Sequence, residues 1–88
     1  VPTQYIVLLE CEHASRYDLS SMRVLLSGGQ AIATKTVEGL KTLFPGSRKF
    51  ECYGITEGFI TLASPEDKAL PGKERTVGRP MFGGEIVI

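Results

Sequence analysis

The longest regular pattern of apolar and polar positions lies in the stretch ATKTVEGLKTLFPG. Ala33, Val37, Leu40 and Phe44 recur at i, i+4, i+7 and i+11, while Lys35, Glu38, Lys41 and Thr42 fall between them. That spacing places the apolar set on one stripe of a helix, and Pro45-Gly46 ends it. Short apolar runs flank the helix. Arg23–Leu26 reads as a buried strand closed by Gly28-Gly29. KFECY alternates, with Phe50 and Cys52 on one face and Glu51 and Tyr53 on the other, and breaks at Gly54. Strand, helix and strand over residues 23–53 make a βαβ unit, which requires parallel strands and a right-handed crossover. Ahead of it, Tyr5, Ile6, Leu8 and Leu9 follow Pro2 as the apolar set of a short helix, with Thr3 as its candidate cap. In SRYDLSS, Asp18 or Ser20 offers a cap for a single turn. Beyond the unit, FITLAS reads as a further strand, PEDKALPGKERT as a charged loop with two prolines, and GEIVI as the last strand. The expected class is α/β, with a parallel βαβ core plus additional C-terminal strands.

Composition narrows what such a chain can do. With 88 residues it forms one small domain at most. A chain of that size buries about 60–65% of its unfolded surface, so its stability is expected to be marginal. Hydrophobic residues make up 42%, charged residues 23%, and the formal net charge is zero, leaving no electrostatic basis for holding nucleic acid or an anionic membrane. No apolar run approaches the roughly 18 residues that span a bilayer, and no signal-peptide pattern is present. The expected location is cytoplasmic. Cys11 and Cys52 are far apart in sequence and His13 is the single histidine, so a four-ligand zinc site is not expected, and both thiols read as reduced. The sequence opens on Val1 and closes on GGEIVI inside an expected strand, so residues 1–88 read as a single fragment of a longer polypeptide.

In open α/β sheets, ligands sit outside the carboxyl ends of the parallel strands. Two such ends occur here, Ser27-Gly28-Gly29 and Tyr53-Gly54-Ile55-Thr56-Glu57. If their strands are neighbours, the two loops face one crevice. Glycine lets backbone approach a ligand, an aromatic ring offers a stacking face, threonine can donate to a phosphate oxygen, and a carboxylate can hold Mg²⁺ bridged to phosphates. Each feature also has an ordinary structural explanation. Gly28-Gly29 before a helix is commonly a tight turn, Tyr53 a core residue and Glu57 a solvated acid. The GxGxxG and GxxxxGK[ST] patterns are missing. Lys68, Lys73 and Arg75 stand beside Glu66, Asp67 and Glu74 and read as a solvated loop. Taken alone, these residues point no further than a candidate nucleotide crevice.

The order of motifs points further. VPT, then RYDLSSMRVLLSGGQAI, then FPGSRKFECYGITEG, then VGRPMFGGEIVI resembles the adenylate-forming superfamily across essentially the whole chain. That superfamily comprises acyl-CoA synthetases, luciferases and adenylation domains of peptide synthetases. The YG-x-TE pattern is the most specific part. The resemblance implies a fragment of the large N-terminal domain of an AMP-forming ligase that uses ATP, Mg²⁺ and coenzyme A on a carboxylic acid, with fatty acid metabolism as a setting. It implies that Tyr53 stacks on adenine, that Thr56 contacts the α-phosphate, and that Glu57 coordinates Mg²⁺. Gly28, Gly29, Gln30 and Gly54 would line the nucleotide, and Gly28 and Gly29 also the substrate's carboxylate. Val1 to Leu9 would flank the acyl pocket, and Val77-Gly78-Arg79-Pro80 would turn into the next strand. Where this family frequently has Ala-Pro-Leu after the glycines, Gln30-Ala31-Ile32 stand here. The family's Ser/Thr/Gly-rich phosphate loop, its ribose-binding aspartate and its catalytic lysine lie outside these 88 residues, which by themselves are not expected to turn over. Two rival expectations are an adenylation domain that loads a carrier protein and a non-catalytic α/β binding module. The isolated piece is expected to self-associate through open sheet edges.

Overall fold

The computed structural model describes residues 1–88. Its elements, in chain order, are α1 (Pro2–Glu10), a 3₁₀ turn (Ala14–Arg16), β1 (Val24–Gly28), α2 (Thr34–Leu43), β2 (Arg48–Ile55), β3 (Gly58–Ala63), α3 (Pro65–Ala69) and β4 (Arg79–Pro80). The four strands form one sheet in the order β1-β2-β3-β4. β1 and β2 pair in parallel, from Val24 opposite Arg48 to Gly28 opposite Cys52, with α2 as the connection between them. The expected βαβ core is therefore present. β2, β3 and β4 are joined antiparallel. No helix is long and apolar enough to cross a membrane.

The helices cover one face of the sheet. Leu25, Leu40 and Phe44 form the buried centre, with Tyr5, Leu8, Leu9, Leu19, Ile32 and Leu43 packed around it. Leu40 is 1% exposed. Burial of an aliphatic side chain of this kind stabilises by about 1.5–3 kcal/mol. The helical stripe is rotated from the expected one. Thr36 is buried, Val37 is half-buried and Ala33 is exposed at the cap position. The cause is α1, which lies so close to α2 that a β-carbon on Gly39 would stand 2.8 Å from Leu9 Cδ1. The Tyr5 hydroxyl fixes α1 to the sheet by donating to the Leu26 carbonyl at 2.7 Å. Burial raises the Tyr5 pKa.

Several expectations are corrected. Arg23–Leu26 is not a strand buried on both faces: β1 runs from Val24 to Gly28, and only Leu25 and Ser27 are buried. Val24 and Leu26 point to the face that carries no helix and stay open, because helices lie on one side only. Thr3 does not cap α1; Val1 holds that position, and its amino group donates to Gln4 Oε1 at 3.2 Å. Asp18, by contrast, does close a single local turn as expected, accepting from Ser20 N and Oγ at 3.0 and 2.6 Å. The stretch PEDKALPGKERT is not all loop. Ser64 Oγ accepts from Asp67 N at 3.1 Å while Asp67 Oδ2 accepts from Ser64 N at 3.1 Å, a reciprocal cap that starts α3. GEIVI is not a strand. The last strand is Arg79–Pro80, inside the segment expected to be a turn, and it pairs with Thr61 and Leu62. Arg79 Nε donates to Asp67 Oδ1 at 2.8 Å, tying β4 to α3.

Candidate nucleotide and acyl site

The carboxyl ends of β1 and β2 lie side by side, because Gly28 is the register partner of Cys52. That contact is very close. A β-carbon built on Gly28 would lie 2.5 Å from Cys52 Sγ and 3.0 Å from the Cys52 carbonyl oxygen. The Cys52 thiol donates to the Ser27 carbonyl at 3.4 Å, so the side chain leans across toward β1. Gly29 has a φ of 85°, a backbone conformation that favours glycine, and its β-carbon would stand 3.2 Å from Val1 Cγ1. The start of α1 therefore borders the glycine turn. Gln30 follows, exposed.

β2 does not stop at Gly54. It continues through Ile55 and folds back at Thr56-Glu57 into β3, with Ile55 opposite Gly58. Neither Thr56 nor Glu57 has a positive φ, so the two-residue turn is not one of the primed types that suit hairpin twist. The register shifts between Tyr53 and Gly54: Tyr53 is opposite Thr61 and Gly54 opposite Phe59, leaving Ile60 as the extra residue. A β-carbon on Gly54 would fall 2.6 Å from the Gly58 carbonyl oxygen. Only glycine lets the two strands close at that point.

The expected crevice between two loops is thus partly redrawn. Gly28, Gly29 and Tyr53 lie together at the strand ends. Thr56 and Glu57 lie beyond them at the tip of a hairpin, three and four residues past Tyr53. At about 3.3 Å per residue, Ile55 is roughly 10 Å further along the sheet than Cys52. Tyr53 is 53% exposed, and Gly29, Gln30, Gly54, Thr56 and Glu57 are exposed as well. The Tyr53 ring is therefore free to meet a ligand and is not a core residue. Glu57 carries no salt bridge and its side chain makes no hydrogen bond. No group of three or more His, Cys, Asp or Glu gathers anywhere in the chain. A lone, open carboxylate suits Mg²⁺ held by one protein oxygen and the phosphates of a nucleotide, and not an all-protein cage. Segments 27–30 and 53–59 contain no lysine or arginine, so what they offer phosphate is uncharged: backbone N–H groups, the Gln30 amide and the Tyr53 and Thr56 hydroxyls. Sequence reasoning missed Cys52 as part of this site. Its alternation with Tyr53 gave its face, but only the parallel register puts it over Gly28.

A family model described as AMP-binding enzyme matches residues 1–88. The chain belongs to this AMP-binding family. It is 32% identical over 91 residues to 4-coumarate–CoA ligase-like 6 of Oryza sativa subsp. japonica, covering 98% of this chain and 15% of that protein. It is 28% identical over 88 residues to tyrocidine synthase 2 of Brevibacillus parabrevis, covering 100% of this chain and 2% of that protein. Among solved structures, the luciferase-like enzyme from the nonluminescent Zophobas morio mealworm superposes with a TM-score of 0.74 at 33% identity, over 90% of this chain and 19% of that one. The AMP-binding chain thus spans less than a fifth of the length of each of these relatives.

Proposed function

We propose that these residues form part of the nucleotide and acyl site of an ATP-dependent, AMP-forming acid–thiol ligase. In the first step a carboxylate oxygen attacks the α-phosphorus of ATP, forming the acyl-adenylate and breaking the bond to the β-phosphate, so that pyrophosphate leaves. In the second step the thiol of coenzyme A attacks the acyl carbon, a C–S bond forms, the C–O bond breaks, and AMP leaves. Tyr53 presents a ring face for adenine. Thr56 donates its hydroxyl to an α-phosphate oxygen as negative charge builds there. The Gly28-Gly29 backbone, narrow because neither residue has a side chain, lets the acid and the adenine approach, and Gln30 and Gly54 extend that lining. Glu57 would hold Mg²⁺, which offsets the charge of the phosphates when bound.

The observation that carries this reading is the pairing of Gly28 with Cys52, which sets the glycine turn beside Tyr53 on adjacent parallel strands of an AMP-binding chain. The test is ATP–pyrophosphate exchange in the whole protein that carries this segment. Glu57→Gln should lower exchange by about 100-fold, the scale of losing one positioned electrostatic partner. It should leave the fold intact, because Glu57 has no partner to lose. Exchange close to the unaltered rate at saturating Mg²⁺ refutes the role. A second reading, in which the acyl group passes to a carrier protein, is supported by the similarity to tyrocidine synthase 2, which is not named as a CoA ligase. Thioester formed on free coenzyme A separates the two.

A further inference from the structure

The helix-side face of the sheet holds a concavity of 440 Å³, within the range of small-molecule pockets. Its floor is apolar, built by Ile32, Val37 and Leu40, and polar groups enter from the strands (Ser27, Lys49, Glu51) and from the helices (Tyr5, Lys41, Lys68). Two of those groups have unmet needs. Ser27 is 4% exposed, and its Oγ has no hydrogen-bond partner within the protein. Buried hydroxyls are nearly always paired, so an unpaired one facing a cavity points to something that fills it. Lys49 is half-buried, and it is the one cation not exposed to solvent that has no carboxylate within 4.0 Å. Its amine donates only to Ser47, at 3.2 Å to the carbonyl and 3.3 Å to Oγ. Burial lowers its pKa, Lys41 lowers it further, and Glu38 partly offsets both. The acid on the same face, Glu51, is already neutralised by Lys68 at 3.0 Å. In the parallel register Lys49 is opposite Leu25 and Glu51 opposite Ser27, so Lys49 and Ser27 are diagonal neighbours on one face.

An uncompensated ammonium beside an unpaired hydroxyl, at the edge of an apolar floor, matches one ligand chemistry. We propose that this cavity binds a small monoanion with an apolar body, a carboxylate on an aryl or short alkyl chain. The head lies between Lys49 and Ser27, and the body covers Ile32, Val37 and Leu40. The site is separate from the hairpin that carries Tyr53, Thr56 and Glu57, and the inference does not depend on the adenylation reading. Ser27 immediately precedes Gly28, and Glu51 stands two residues before Tyr53, so an occupant touches the strands that carry the other site.

The probe is 4-phenylbutyrate, titrated into the ¹⁵N-labelled whole protein that carries this segment and followed by amide chemical shifts. Saturable shifts are expected at Ser27, Val37, Lys49 and Glu51, with a dissociation constant in the millimolar range for a ligand of this size. Lys49→Met should weaken binding by about tenfold and Ser27→Ala by about threefold, the scales of a charge-assisted and a neutral hydrogen bond. Ser27→Ala removes an unpaired hydroxyl and so should not lower the melting temperature, which keeps its binding result interpretable. Tyr53→Ala should leave the affinity unchanged. Absence of saturation, undiminished binding by Lys49→Met, or loss of binding in Tyr53→Ala alone would each overturn the proposal.

Discussion

The contact between Gly28 and Cys52 gives the sharpest test of how the strand ends are built. In Gly28→Ala the new methyl group would stand 2.5 Å from Cys52 Sγ and 3.0 Å from the Cys52 carbonyl oxygen. Overfilling of this kind costs about 1–3 kcal/mol. An opposing term exists. Gly28 is not among the glycines with positive φ, so alanine fits the backbone and gains about 0.4–1 kcal/mol by restricting the unfolded chain. The net loss should be about 1 kcal/mol, or about 4–8 °C in melting temperature for a chain of this length. The thiol is the nearer atom and can rotate away only by giving up its 3.4 Å bond to the Ser27 carbonyl. In a Cys52→Ala background that atom is gone and only the carbonyl contact remains. Gly28→Ala should then cost close to nothing, and the double-mutant cycle should return a coupling of about 1 kcal/mol. The measurement is thermal and urea unfolding of the four proteins by circular dichroism. Equal losses in both backgrounds would mean that the side chain of Cys52 does not close over Gly28, and the account of how the ends of β1 and β2 meet would fail.

Leu40→Ala empties the best-buried position, 1% exposed, and should cost about 3 kcal/mol, enough to unfold much of a marginal chain at 25 °C; a melting temperature lowered by only a few degrees would contradict the assigned core. Asp67 has its pKa held down by the Ser64 backbone N–H first and by Arg79 next. With the folded value below the unfolded one, its stabilisation is present above about pH 4 and is lost as pH falls through the folded pKa, so amide exchange at α3 and β4 should speed up below pH 4, and in Asp67→Asn it should already be fast at pH 7. Val24 and Leu26 are 56% and 47% exposed on the sheet face without helices, so the isolated chain should self-associate at high micromolar concentration, while Leu26→Lys should keep it monomeric in sedimentation velocity.

Local pattern alone carried the βαβ core. The repeat of Val37, Leu40 and Phe44 marked α2, the alternation through Phe50, Cys52 and Tyr53 gave the faces of β2, and two glycines marked the end of β1. These signals work because helix and strand periods are properties of the backbone and need no partner. The cap of α3 was also written in the sequence, as Ser64, Pro65 and Asp67 in N-cap, first-turn and N3 places, though the surrounding charges give it the look of loop. Other features depended on what packs where. The stripe of α2 turned toward Thr36 because α1 presses on Gly39, and no periodicity within α2 encodes its neighbour. Val24 and Leu26 look like core residues by composition but are open, because burial of a strand face is decided by the layer laid over it. Thr56 and Glu57 were visible as candidate chemistry, whereas their place at a hairpin tip followed from β3 pairing back on β2 with Ile60 as the extra residue. The Cys52 thiol over Gly28, and the unpaired Ser27 hydroxyl beside Lys49 on the other face, are products of one parallel register between residues about 25 apart in sequence. Such contacts arise only when two distant strands align, so the sequence names the residues and the tertiary structure decides which of them meet.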